Sequence, residues 1–169
     1  MAKIIIAPNV ITIKRASLIF LAGPIQGAGE WHKEAIEIIH SINTEIYVAS
    51  PKRQKRRSGD FTEEMYNEQV DWETTYLKRA ASNGTILFWL AKEEMHSCDR
   101  AFAQTSRFEL AEWKSRYEVY DTHLVVGIEE GFPGARYIRR RFSQDCPKIT
   151  IHSSLEETCK DAIKLITGR

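Results

Sequence analysis

The stretch Thr105-Ser106-Arg107-Phe108-Glu109-Leu110-Ala111-Glu112-Trp113 puts a carboxylate near the start of an expected helix. Thr105 and Ser106 are candidate N-caps, because a side-chain oxygen can accept from the first free backbone N–H groups. Glu109 follows four residues after Thr105 and three after Ser106. Phe108, Leu110 and Ala111 give the first turn apolar contacts, so the turn is expected to pack on a sheet. A carboxylate there would be held rigidly and pointed at whatever lies over the sheet edge. The plainer account is a capping box, Ser106 with Glu109 at N3, which requires no chemistry.

Other reactive residue types are less organised. His32, His40, His96, His123 and His152 are scattered with no ligand spacing, and Cys98, Cys146 and Cys159 form neither a zinc pattern nor a disulfide framework. No metal and no organic cofactor is expected. Gly27-Ala28-Gly29 lacks the Lys-Ser/Thr ending of a phosphate loop and the spacing of a dinucleotide fingerprint. The run Lys52 to Arg57 has five basic residues in six. It could hold a nucleotide phosphate or bind nucleic acid, but a solvated loop is the commoner meaning. Arg139-Arg140-Arg141 reads the same way.

The elements that must position these groups follow from pattern. At 169 residues, 43% hydrophobic and 28% charged, the chain has the composition of one globular domain spanning residues 1–169. Its formal net charge of +1 supplies no field toward nucleic acid or membrane. No stretch is long enough to span a bilayer, and no signal peptide is visible. With its unpaired cysteines, the chain is expected to be soluble and cytoplasmic.

Lys3 to Ala7 and Val10 to Ile13 are short β-branched runs, readable as a hairpin or as an extension packed on the main body. Ser17 to Leu21 is a continuous apolar run ending at Gly23-Pro24, as expected of a strand covered on both faces. A helical pattern runs from Trp31 to Ile42. Glu45 to Ala49 is a second strand, Met65 to Ala81 a long helix ended by Asn83-Gly84, and Thr85 to Leu90 a third strand. Residues 92–103 form a polar loop, and the Glu109 helix runs to about Tyr120. His123 to Gly127 and Ile149 to Ile151 are the last strands, separated by a basic helix. Leu155 to Ile166 is the final helix, with Ser153 or Ser154 as its cap.

Strands alternating with helices predict an α/β fold: a flavodoxin-like, doubly wound, five-stranded parallel sheet with helices on both faces. Ligands in such sheets bind outside the carboxyl ends of the strands, near the switch point. The Gly23-Pro24 loop, the segment after Trp89-Leu90 and the start of the Glu109 helix should converge there.

A set of short motifs now carries a resemblance. Ile19-Phe20-Leu21-Ala22-Gly23-Pro24-Ile25, then Trp31, then Gln69-Val70-Asp71-Trp72-Glu73, then Leu87-Phe88-Trp89-Leu90, then Arg107 to Trp113 resemble the nucleoside 2-deoxyribosyltransferase superfamily. The likeness is to the branch with a FLAGP first loop and an RFELGEW-type helix, from about Ser17 to about Val126. Two positions depart from that pattern. Ala111 stands where the family usually has glycine, and Asn83-Gly84 where it commonly has an acidic residue.

The resemblance implies transfer of a 2-deoxyribosyl group between nucleobases through a covalent glycosyl-enzyme intermediate. Glu109 matches the nucleophile. A helix N-terminus and Arg107 would favour its charged form, although Arg107 could equally pair with Glu112 or Asp99. An acidic residue of the Asp71-Trp72-Glu73 segment would contact the base. The two carboxylates point to different sides of a helix, and Glu73 is preferred over Asp71. Phe20 could stack a base or line the sugar pocket, while Gly23 and Pro24 would shape the first loop; Trp72 and Trp89 read mainly as core. Implied partners are a nucleoside and a free nucleobase, with no stable nucleic-acid partner, no membrane, and a homo-oligomer that shares its active sites. Two alternatives remain: an N-glycosidase acting on nucleosides or nucleoside monophosphates, and a non-catalytic nucleotide-binding module.

Overall fold

Leu18–Ala22 (β2) is buried along its whole length, and the rest of the sheet is laid against it. The structure is a computed structural model that describes residues 3–13, 17–53 and 62–168. Gly84–Leu90 (β4) pairs with β2 on one side, from Leu18 opposite Gly84 to Ala22 opposite Phe88. Tyr47–Ser50 (β3) pairs with it on the other. Leu124–Ile128 (β5), Ile151–His152 (β6) and Ile4–Ile6 (β1) complete six parallel strands in the order β1-β3-β2-β4-β5-β6. The chain reverses its winding direction between β2 and β4, which makes their carboxyl ends the switch point.

Period-two alternation divides the core into two layers. Leu18, Phe20, Ile86, Phe88 and Val126 face the helices Glu63–Asn83 (α2), Gln104–Tyr120 (α3) and Ala135–Asp145 (α4). Ile19, Leu21, Leu87, Trp89 and Val125 face Trp31–Ile42 (α1) and Leu155–Thr167 (α5). The continuous apolar runs of β2, β4 and β5 thus have helices on both faces. Ser154 caps α5 by accepting from the Glu157 amide at 3.2 Å. Among the described residues no helix is long and apolar enough to cross a membrane.

The sheet has six strands, not the expected five. The added strand is β1, which extends the edge beyond β3. Residues 10–13 do not return as a hairpin, because their polar groups are taken by α2. The Ile11 amide donates to Tyr76 Oη at 3.0 Å, and Trp72 Nε1 donates to the Asn9 carbonyl at 2.7 Å. At the other end of α2, Gly84 does not adopt the left-handed cap its sequence suggested. Its backbone is extended, with φ −160°. Glycine is required there because a Cβ would run into the Leu18 carbonyl oxygen of the neighbouring strand.

Candidate active site

The loop from β4 enters α3 through Ala103, a left-handed residue with φ 56° and ψ 30°. Its carbonyl accepts the first helical bond, from the Arg107 amide at 3.0 Å. No side chain caps this end. Gln104, Thr105 and Ser106 therefore form the first turn, and Glu109 lies in the second. The capping box does not exist, because Ser106 is inside the helix and buried. Glu109 is consequently free of any role in closing the helix end.

Its carboxyl group instead meets one from α2. Glu109 and Glu73 are half-buried and share a side-chain hydrogen bond. Two carboxyl groups bond in this way only if a proton lies between them. Burial pushes the Glu109 carboxyl up to about 8, helped by the negative charge of Glu73, their mutual hydrogen bond and the charge of Glu112. Burial raises Glu73 as well, against the pull of its bonds to Gln69 and Glu109 and of the Arg53 charge. Burial and the neighbouring carboxyl group thus favour the protonated form of Glu109.

Glu73 is fixed from behind. Gln69, one turn earlier on α2, donates through Nε2 to Glu73 Oε1 at 2.7 Å and to the Pro51 carbonyl at 3.0 Å. Its Oε1 accepts from Arg53 Nε at 2.8 Å, and Arg53 Nη2 reaches Glu68 at 3.1 Å. Sequence reasoning quoted Gln69 within a motif and put Arg53 in a basic run that could hold a phosphate, but joined neither to Glu73. The i,i+4 spacing of Gln69 and Glu73 was the available signal.

The other expected site residues lie elsewhere. Arg107 does not turn toward the carboxyl pair. Nη2 donates to the Pro133 carbonyl at 2.8 Å, and the guanidinium stacks on the Phe132 ring, 4.8 Å from its centroid. It ties α3 to the turn after β5, and the expected charge support for Glu109 is absent from this arrangement. The alternative partner Glu112 pairs with Arg116 at 2.8 Å. Asp71 is exposed. Phe20 is 1% exposed and packs against Trp72 with ring centroids 6.1 Å apart, so it is a core residue and not an open stacking platform. Trp31, Trp72 and Trp89 are buried too.

Gly23 and Pro24 shape the loop that leaves β2. Gly23 has φ 150°, and a Cβ on it would collide with the Trp89 carbonyl oxygen and lie 2.9 Å from the Trp31 ring. The Pro24 carbonyl accepts from Trp31 Nε1 at 2.8 Å. The segment after β4 closes on this loop, with the Gly27 carbonyl accepting from the Glu94 and Met95 amides at 2.7 and 3.0 Å. The first loop and the segment after β4 thus meet at the carboxyl edge, from which α3 starts. Of the basic run, Lys52 pairs with Glu30 at 2.6 Å, and residues 54–57 lie outside the described residues. Arg139 is less solvated than expected, since it donates to the Ile128 and Ile151 carbonyls at 3.3 and 3.1 Å. Among the described residues no group of three or more His, Cys, Asp or Glu side chains is placed to hold a metal.

A half-buried, proton-sharing carboxyl pair at a strand-carboxyl edge has two chemical capacities. One member can attack an electrophilic carbon once ionised, and the other can carry the proton a leaving group needs. The family model described as "Nucleoside 2-deoxyribosyltransferase like" matches residues 16–131. No curated protein matches the chain.

Proposed function

The chain belongs to the nucleoside 2-deoxyribosyltransferase-like family, and on that premise we propose that it exchanges nucleobases on a 2-deoxyribosyl group, with Glu109 as nucleophile. The observation that carries the reading is the proton-sharing contact between Glu73 and Glu109. With the proton moved to Glu73, ionised Glu109 attacks C1′ of the sugar. A C1′–O bond forms as the C1′–N bond breaks. The electron pair goes to the base nitrogen, which takes the proton from Glu73. An acceptor base then attacks C1′ from the face just vacated, gives its proton to Glu73, and releases Glu109 as carboxylate. Two inversions give retention, as in retaining glycoside hydrolysis. The carboxyl groups of such hydrolases stand about 5 Å apart. A hydrogen-bonded pair is closer, so the substrate parts Glu73 from Glu109 on entry.

The reading takes residues 1–169 as one domain and a nucleoside with a free nucleobase as its ligands. It also takes the working unit as a homo-oligomer with shared sites. Phe108, Tyr66 and Val70 are 75%, 54% and 43% exposed on α3 and α2, the two helices that carry the pair. Covering them with a second copy would bury apolar surface and close the site against water.

The half-exposure of the pair in the single chain favours one second reading, in which water is the acceptor and the reaction is N-glycosidic hydrolysis. A base-exchange assay separates the two. The protein is incubated with 2′-deoxyinosine and free adenine or cytosine, beside Glu109→Ala. A new deoxynucleoside that vanishes in the variant is the expected result. Free hypoxanthine alone would favour the hydrolase, and binding without turnover, unchanged in Glu109→Ala, a non-catalytic module.

A further inference from the structure

The Gln69 amide is held in one orientation by chemistry alone. Arg53 Nε can only donate and the Pro51 carbonyl can only accept. The amide oxygen must therefore face Arg53, and Nε2 must face Pro51 and Glu73. Both N–H groups and the oxygen of Gln69 are then engaged, so the donor offered to Glu73 Oε1 cannot reverse without breaking two other bonds. We propose that Gln69 is a positioning residue that makes Glu73 the acid of the reaction: by donating to Oε1 it leaves the movable proton to Oε2 and stabilises the carboxylate that forms when the leaving base takes that proton. Gln69 touches no reacting atom and acts only through Glu73.

The charged groups that bear on Glu73 are Arg53 from the segment after β3 and Glu109 from α3, with Glu112 behind Glu109. Arg53 also pairs with Glu68. Arg53 acts on Glu73 both by its charge and through the amide of Gln69, so the relay joins the loop after β3 to the proton on the carboxyl pair.

The proposal rests on the exchange reaction above, and its test uses two substrates that differ in their need for an acid. The hypoxanthine of 2′-deoxyinosine needs a proton to leave. A 7-methylated purine 2′-deoxynucleoside carries a positive charge and leaves neutral without one. Gln69→Leu should lower kcat on 2′-deoxyinosine by about tenfold to a hundredfold, with KM little changed, and should spare the 7-methylated substrate. Gln69→Glu keeps the shape and the bond from Arg53 but offers Glu73 no donor when ionised, and should show the same selective loss. Equal losses on both substrates, or full activity of Gln69→Glu on both, would overturn the proposal in favour of a packing role. A readout independent of turnover is the carboxyl titration of 13C-labelled Glu73, which should move upward in Gln69→Leu. If the wild-type protein turns over neither substrate, the reading of the function fails, and this titration alone decides the relay: an unmoved Glu73 overturns it.

Discussion

Burial and the neighbouring charge of Glu73 both press the Glu109 carboxyl toward its neutral form, up to about 8. The exchange needs Glu109 ionised and a proton on Glu73, so kcat/KM should fall as pH climbs through that value and the last proton leaves the pair. Glu73→Gln removes both the acid and the negative neighbour, so kcat should drop and the remaining activity should no longer fall over that range. Stability slopes the same way. A carboxyl group whose folded-state value lies above its unfolded one contributes stability that is complete below the unfolded value and is lost as pH climbs through the folded one. Tm should therefore fall between about pH 5 and pH 9, and Glu109→Gln should flatten that fall; calorimetry across the range checks both. The position of Glu109 near the carboxyl edge of the sheet was legible from its motif and from the fold that carries it. Its charge state was not, because the proton depends on Glu73, which is distant in sequence and meets Glu109 only when α2 and α3 pack on one face of the sheet. The place of Arg107 was not legible for the same reason: nothing local in the sequence says that a guanidinium will lie on the Phe132 ring and bond the Pro133 carbonyl.

The helix that presents Glu109 begins on a strained residue. Ala103 sits at φ 56°, where a Cβ costs about 1–2 kcal/mol. Ala103→Gly should stabilise the protein by about 0.5–1 kcal/mol, the relief being partly offset by the freer unfolded chain. Urea unfolding with an unchanged m-value measures it. Ser106 and Glu109 have the spacing of a capping box, yet the helix starts earlier, since a left-handed cap leaves no sequence mark when glycine is absent. Within the sheet, Gly127 lies under the Trp89 ring and against Thr158 Oγ1, and a Cβ would meet both. Gly127→Ala should destabilise by about 1–3 kcal/mol through overpacking. The strands around it were readable from their continuous apolar runs. The run that forms β1 was readable as β-branched, but its place at the sheet edge beside β3 was not, because an edge strand of three residues needs only one neighbour to exist.

For the molecule as a whole, the doubly wound arrangement follows from helices alternating with buried strands, and it brings the Gly23 loop, the segment after β4 and the start of α3 to one edge. What the single chain leaves open are the exposed apolar residues Phe108, Tyr66 and Val70 on the two helices that carry the carboxyl pair. Val70→Lys places a charge on that surface, and Val70 has no part in the proposed chemistry. If this face joins copies of the chain, sedimentation should show an assembly larger than the 19.5 kDa chain, and Val70→Lys should shift it toward that mass. Exchange activity should fall with the assembly, not independently of it.

The central claim is that Glu109 carries the sugar between two bases. The protein is mixed with 2′-deoxyinosine in the absence of an acceptor base, quenched in acid, and digested for peptide mass spectrometry. The account predicts one 2-deoxyribosyl group attached to Glu109, lost when adenine is added before the quench and absent in Glu109→Ala. An adduct on another residue, or steady exchange by Glu109→Ala, would contradict it.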